Sequence, residues 1–90
     1  MSVFQKIEEL INENRLEDAI IALNSAIELD DNNDLLFFHR GKLHWRMGNH
    51  SQAITDYEHA VSINPQNPAR IALDNAHDVI SFFNPDIFNP

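Results

Sequence analysis

Ala19-Ile20-Ile21-Ala22-Leu23-Asn24-Ser25-Ala26-Ile27 returns thirty-four residues later as Ala53-Ile54-Thr55-Asp56-Tyr57-Glu58-His59-Ala60-Val61. The two copies agree where packing would need them to: alanine, isoleucine, a large residue, alanine and a β-branched residue. Each copy then runs into a polar stretch, Asp30-Asp31-Asn32-Asn33 in the first and Asn64-Pro65-Gln66-Asn67 in the second. Self-similarity at a fixed period of about 20–50 residues marks a stacked repeat architecture, in which each unit buries its apolar face on the next.

Outward from the echo, the apolar spacing predicts helices throughout. Val3, Ile7, Leu10 and Ile11 place a first helix over about Ser2 to Asn12. Ser2 can cap its start, and Glu13-Asn14 can stop it, because asparagine tolerates the left-handed conformation. The first copy of the echo lies in a second helix, Leu16 to Leu29, with Glu17 and Asp18 at its electropositive start. Asp34 is expected to cap a third helix, Leu35 to Met47, ended by Gly48. Asn49 with Gln52 three residues on resembles a capping box for a fourth, His50 to Ile63, stopped by Asn64-Pro65. Pro68 can open a fifth, Ala69 to Phe83, whose face carries Ala72, Leu73, Ala76, Val79, Ile80 and Phe83.

Composition narrows the function classes. The chain has 90 residues, 43% of them hydrophobic, with two glycines and no cysteine. That excludes collagen-like and disordered classes, a disulfide framework and a thiolate metal site. At this length a single core is marginal, so stacking must supply the buried surface. No apolar run approaches a membrane span, and the N-terminus lacks the layout of a signal peptide. A cytoplasmic protein is expected. Fourteen acids against six bases give a net charge of −8, and only Arg40, Lys42 and Arg46 fall together. A phosphate backbone would be repelled, which argues against nucleic acid.

The third and fourth helices resemble the tetratricopeptide repeat. Phe37-x-x-Arg40-Gly41-x-x-His44, then Ala53, Tyr57, Ala60 and Pro65, follow the family pattern of large, small and turn residues. Arg40 and His44 depart from it. The small residues make physical sense: Gly41 and Ala53 let the paired helices cross closely while Phe37 and Tyr57 fill the flanks. The first repeat resembles the family through Val3, Ile7, Leu10, Ala19, Leu23 and Ala26, with Ile7 in place of the small residue. The fifth helix resembles the capping helix that often follows a last repeat, if Ala76 is its small residue, one residue out of register. The resemblance implies an all-α fold, a short right-handed α-solenoid of antiparallel pairs with about five helices. It divides the chain into a domain over 1–84, with repeats at 2–33 and 34–67 and a capping helix at 68–84, followed by a tail at 85–90.

The resemblance also implies a function, non-catalytic binding of a peptide or partner helix in a concave groove lined by the first helix of each repeat. Carried onto this chain, the groove takes Phe4, Glu8 and Ile11, then Leu35, Phe38, His39, Lys42, Trp45 and Arg46, then Ala69, Leu73 and Ala76. Phe38, His39, Lys42, Trp45 and Arg46 are the expected partner-binding residues, with Trp45 and Phe38 as anchors. The competing expectation is that the aromatic third helix is simply buried on several sides. Family members that clamp the acidic tails of heat-shock chaperones use basic residues where this chain offers only Lys42, opposed by Glu8, so that subtype is disfavoured.

The histidines do not make a site. His39 and His44 stand five apart, on different faces of a helix, and no pair has the i, i+4 spacing of a helical metal site. With no cysteine and no serine elbow, no enzyme activity, cofactor or metal is expected. The tail, Asp86-Ile87-Phe88-Asn89-Pro90, is unusually apolar for a chain end. It suggests an alternative function, self-association, in which the tail fills a groove of its own molecule or of a second copy.

Overall fold

A computed structural model describes residues 2–83, with side chains as far as Ala76. The predicted tail at 85–90, and the contribution of Val79, Ile80 and Phe83 to the fifth helix face, lie outside what it describes. The described residues form five helices: α1 Val3–Asn12, α2 Leu16–Leu29, α3 Asp34–Arg46, α4 His50–Ile63 and α5 Ala69–Phe83. Consecutive helices pack on one another, α3 against α4 most extensively.

The period of thirty-four governs the helix ends as well as the faces. Asn14 and Gly48, one period apart, are both left-handed, at φ 60° and 85°. Each follows its helix by two residues and closes it in the same way. The N–H of Arg15 donates to Leu10 O and that of Asn14 to Ile11 O; Asn49 and Gly48 donate to His44 O and Trp45 O. These are Schellman closures, which satisfy the last carbonyls through one left-handed residue. Asn33 and Asn67 form a second such pair. The side chain of Asn33 accepts from Leu35 N, and that of Asn67 accepts from Ala69 N at 2.7 Å.

Two expected caps are therefore corrected. Asn33, not Asp34, caps α3. Asp34 sits inside the first turn, where its Oδ2 accepts from Asn64 Nδ2 at 3.1 Å and Asn67 Nδ2 at 2.6 Å. Those donors, Asn67 foremost, hold its carboxyl below the usual carboxylate range and tie α3 to the α4–α5 turn. Asn49 stands at the start of α4, but its side chain makes no cap bond. It contacts His44 Nδ1 instead, at 3.4 Å. The capping box appears at the first helix, where Ser2 and Gln5 bond reciprocally.

Two apolar clusters form the core, and α3 serves both. Leu36 and Leu43 join Ile7, Leu10, Ala19 and Leu23 on one side. Phe37 joins Ala53, Tyr57, Ala60 and Ala69 on the other. The aromatic third helix is thus buried along two stripes. On α5, Ala69 and Ala76 are buried, thirty-three residues after Leu36 and Leu43. That spacing slips by one residue in the opposite direction from the expected match of Ala76 to Gly41, which stand thirty-five apart.

α3 and α4 approach closely at Gly41. A Cβ on Gly41 would come within 2.7 Å of Tyr57 Cε1 and 3.2 Å of Ala53 O. Beside it runs a polar network that the family pattern did not foretell. Arg40 Nη2 and Nε donate to Asp56 Oδ1 and Oδ2 at 2.7 and 2.9 Å, and Arg40 Nη1 donates to Asn24 Oδ1 at 2.9 Å. Arg40 thus joins α2, α3 and α4 through a bidentate fork. His44 Nε2 lies 4.0 Å from the same carboxylate. Asp56 is 4% exposed, so losing its partner would leave a buried charge uncompensated.

Two predictions follow from this packing. Gly41→Ala should gain about 1 kcal/mol from helix propensity alone, but the clash with Tyr57 costs about 1–3 kcal/mol. A net loss of stability is expected in urea unfolding; a gain would mean that the ring swings clear and the close approach is not a constraint. The second concerns pH. Burial pushes the pKa of His44 down, more than Asp56 raises it, and burial likewise lowers His39. The unfolded chain then binds more protons as pH falls through the ordinary value of 6.5. Stability is full above that value and is lost below it. Melting temperature should fall from pH 7.5 to pH 5.5, and His44→Gln should flatten the fall. A wild-type profile that is level or rising would show that the network welcomes the imidazolium.

Candidate functional site

The first helices of the two pairs, α1 and α3, face each other across an open cleft of about 540 Å³. Phe4, Ile7, Glu8 and Ile11 stand at successive i+3 and i+4 positions along α1, and His39, Lys42, Leu43 and Arg46 do the same along α3. Helical spacing alone therefore brings two four-residue stripes into one wall each. Ile7 and Leu43 are buried and floor the cleft; Phe4 and Ile11 are half-buried at its sides.

The charged groups sit above this floor. Lys42 and Arg46 are exposed, and neither forms an ion pair among the described residues. The Lys42 ammonium stands 4.9 Å from the centroid of the Phe38 ring, within cation–π range. Glu8 brings the carboxylate of the opposite wall. His39 lies between, its ring 4.9 Å from that of Phe4. Burial lowers its pKa first and Lys42 adds to this, while Glu8 opposes, so the imidazole is neutral at pH 7. The arrangement offers apolar walls, two cations and a neutral hydrogen-bonding ring. It can bind and orient a chain. Among the described residues, no group of three or more histidine, cysteine, aspartate or glutamate side chains converges as for a metal. No helix there is long and apolar enough to cross a membrane.

Of the five residues expected to bind a partner, the cleft brings together His39, Lys42 and Arg46. Phe38 and Trp45 lie on the other flank of α3, packed against the second core cluster. Phe38 is 6.2 Å from Tyr57 between ring centroids, and Trp45 stacks on His50 at 4.0 Å. Trp45 also borders a smaller cavity of about 240 Å³ with Tyr57, Ala72, Asn75 and Ala76. Three of the five therefore line the cleft and Trp45 the smaller cavity across the ridge of α3, while Phe38 packs on the core and lines neither. Trp45 packs on the core and borders a cavity at once, so truncating it would disturb both.

The wider groove assignment also divides. Phe4, Glu8 and Ile11 line the cleft, but Leu35, 44% exposed, borders neither depression. Ala69 is fully buried in the second cluster, and Leu73 packs against it. Gln5, Ile7, Asn12 and Leu43 line the cleft without having been singled out. Ile7 and Leu43 were readable as the i+3 and i+4 neighbours of residues that were. Gln5 and Asn12 carry no signal that separates them from other polar residues of an exposed helix.

Comparison with known proteins agrees with the helical-repeat fold. A family model described as TPR repeat matches residues 8–48, and one described as tetratricopeptide repeat matches residues 36–67. The chain is 33% identical over 58 residues, 64% of its length, to the DnaJ homolog subfamily C member 7 homolog of Dictyostelium discoideum. It spans 11% of that protein's length. The two matched ranges overlap on α3 and together take in both copies of the echo, the Gly41–Tyr57 contact and both Schellman turns. With two stacked helix pairs in the spacing and packing of the repeat, the chain belongs to the tetratricopeptide repeat family.

Proposed function

We propose that the protein is a non-catalytic, cytoplasmic interaction module that binds a segment of a partner protein across α3. Tetratricopeptide repeats generally mediate protein–protein interaction, and this chain has the repeat. The observation that carries the finer reading is the α1–α3 cleft, whose volume lies in the range of about 300–1,000 Å³ usual for ligand pockets. Its buried floor would give an apolar contact, and the exposed Lys42 and Arg46 would orient the bound chain. His39 would add a hydrogen bond, with Phe38 and Trp45 meeting whatever extends beyond the ridge.

Because Lys42 and Arg46 are exposed and form no ion pair among the described residues, they can be changed without opening the core. A variant carrying Lys42→Glu and Arg46→Glu should melt within about 1 °C of wild type, as surface substitutions usually do. Affinity capture from native lysate should recover a partner with the wild-type protein and lose it with this variant. Equal recovery by both would remove the cleft from the reading. Recovery of the protein's own chain alone would favour self-association instead.

A further inference from the structure

We infer that the segment 84–90 folds back along α5 and seats Phe88 in the smaller cavity beside Trp45, a plug supplied by the protein's own chain. This goes beyond partner binding and does not depend on it.

The cavity is the first half of the argument. Trp45, Tyr57, Ala72 and Ala76 make it an aromatic slot, with the exposed Asn75 at its edge and no charged group among its described lining residues. Its volume of about 240 Å³ falls below the range of about 300–1,000 Å³ usual for ligand pockets, so it takes one large side chain rather than a whole ligand. Charge selects nothing here; apolar area and ring contact do. Aromatic pairs gain from ring contact beyond the area they bury, and Trp45 and Tyr57 offer two rings. The sequence after α5, Asn84-Pro85-Asp86-Ile87-Phe88-Asn89-Pro90, holds one aromatic residue.

Reach is the second half. Positions 72, 76, 79 and 83 follow one another at i+4, i+3 and i+4, so one line along α5 joins the slot to the last residue of the helix. At about 1.5 Å per residue, position 76 lies about 10.5 Å and position 72 about 16.5 Å back from position 83. Phe88 stands five residues beyond Phe83, which an extended chain stretches to about 16.5 Å. A reversal uses part of that length and leaves Phe88 level with the slot. Asn84-Pro85 suits the reversal: the residue before a proline is pushed out of the helical region, and asparagine then proline is a favoured start for a β-turn. Phe88 falls short of the α1–α3 cleft, because the ridge of α3 adds about 10–12 Å to the path. Successive side chains of an extended chain point to opposite faces, so Ile87 turns outward where Phe88 turns in. A segment tethered this closely acts at an effective concentration of about millimolar, far above that of a second copy. A partner that crosses the ridge then meets Trp45 covered, and has to displace Phe88 to reach it.

The chain has no cysteine, so an introduced pair reports on this directly. Asn75→Cys with Asn89→Cys should close a disulfide within one molecule on mild oxidation, which requires α-carbons within about 7 Å. Gln5→Cys, in the α1–α3 cleft, with Asn89→Cys should stay reduced. Phe88→Asp should shift the emission of Trp45, the single tryptophan, to the red and lower the melting temperature by about 5 °C or more. Ile87→Asp should do neither. Disulfide-linked dimers in place of closed monomers would assign the slot to a second copy and overturn the inference. Wild-type emission and melting in Phe88→Asp, or a Gln5 pair that closes as readily, would overturn it as well. Lysate capture is read separately, so none of these outcomes bears on the α1–α3 cleft.

Discussion

The ring of Tyr57 occupies the space where residue 41 would carry a Cβ, and this one absence sets the geometry of α3. Because Gly41 presents bare backbone, α4 can approach closely, with Ala53 and Ala60 fully buried along the contact. Once α3 is held there, Leu36 and Leu43 are committed to α1 and α2, and Phe37 to α4 and α5. The remaining positions of α3, among them His39, Lys42, Trp45 and Arg46, take the edges that packing leaves over. The candidate binding surface is in this sense a residue of the packing problem. Ile7 stands one period before Gly41 and is itself buried, so the first pair is built around a side chain where the second is built around a gap.

Arg40 and His44 illustrate a second way of closing the same stack. Both sit where the family pattern prefers apolar residues, and both turn toward Asp56 on α4. A buried carboxylate is costly unless it is paired and hydrogen-bonded, and here a two-bond fork from Arg40 fixes its orientation. The same guanidinium lies 5.5 Å from the Phe37 ring and reaches Asn24 on α2. Apolar packing is tolerant of small slides between helices, whereas a bidentate pair is not. The network therefore contributes register between α2, α3 and α4 as much as it contributes energy.

Much of this was legible in the residues, for reasons that also explain where reading stopped. The ends of α2 and α4 follow from the echo, whose two copies frame each other, and the left-handed stop at Asn14 follows from the tolerance of asparagine for positive φ. The cap of α3 did not follow, because Asn33 and Asp34 are both good caps and only their partners distinguish them. Asp34 is taken by Asn64 and Asn67, thirty residues and more away. Asn49 failed as a capping box for the same kind of reason, its amide being drawn to His44. Local patterns state what a side chain can do; the tertiary neighbours choose among the options.

The candidate site shows the limit more sharply. Spacing along one helix reveals which residues share a face, but not which of two neighbouring helices that face meets. Phe38 and His39 are adjacent in sequence and fall on opposite flanks of the same ridge, as do Trp45 and Arg46. A reading along α3 alone joins them into one patch. Only the placement of α1 on one side and α5 on the other splits that patch into a charged cleft and an aromatic slot. That split carries the chemical information. A single mixed patch would accept almost any amphipathic chain, whereas two depressions of different character, a helix width apart, would ask a particular order and spacing of side chains of any segment that filled both. On the proposed reading, specificity in so small a repeat stack would come less from the number of contacts than from the ridge that separates them.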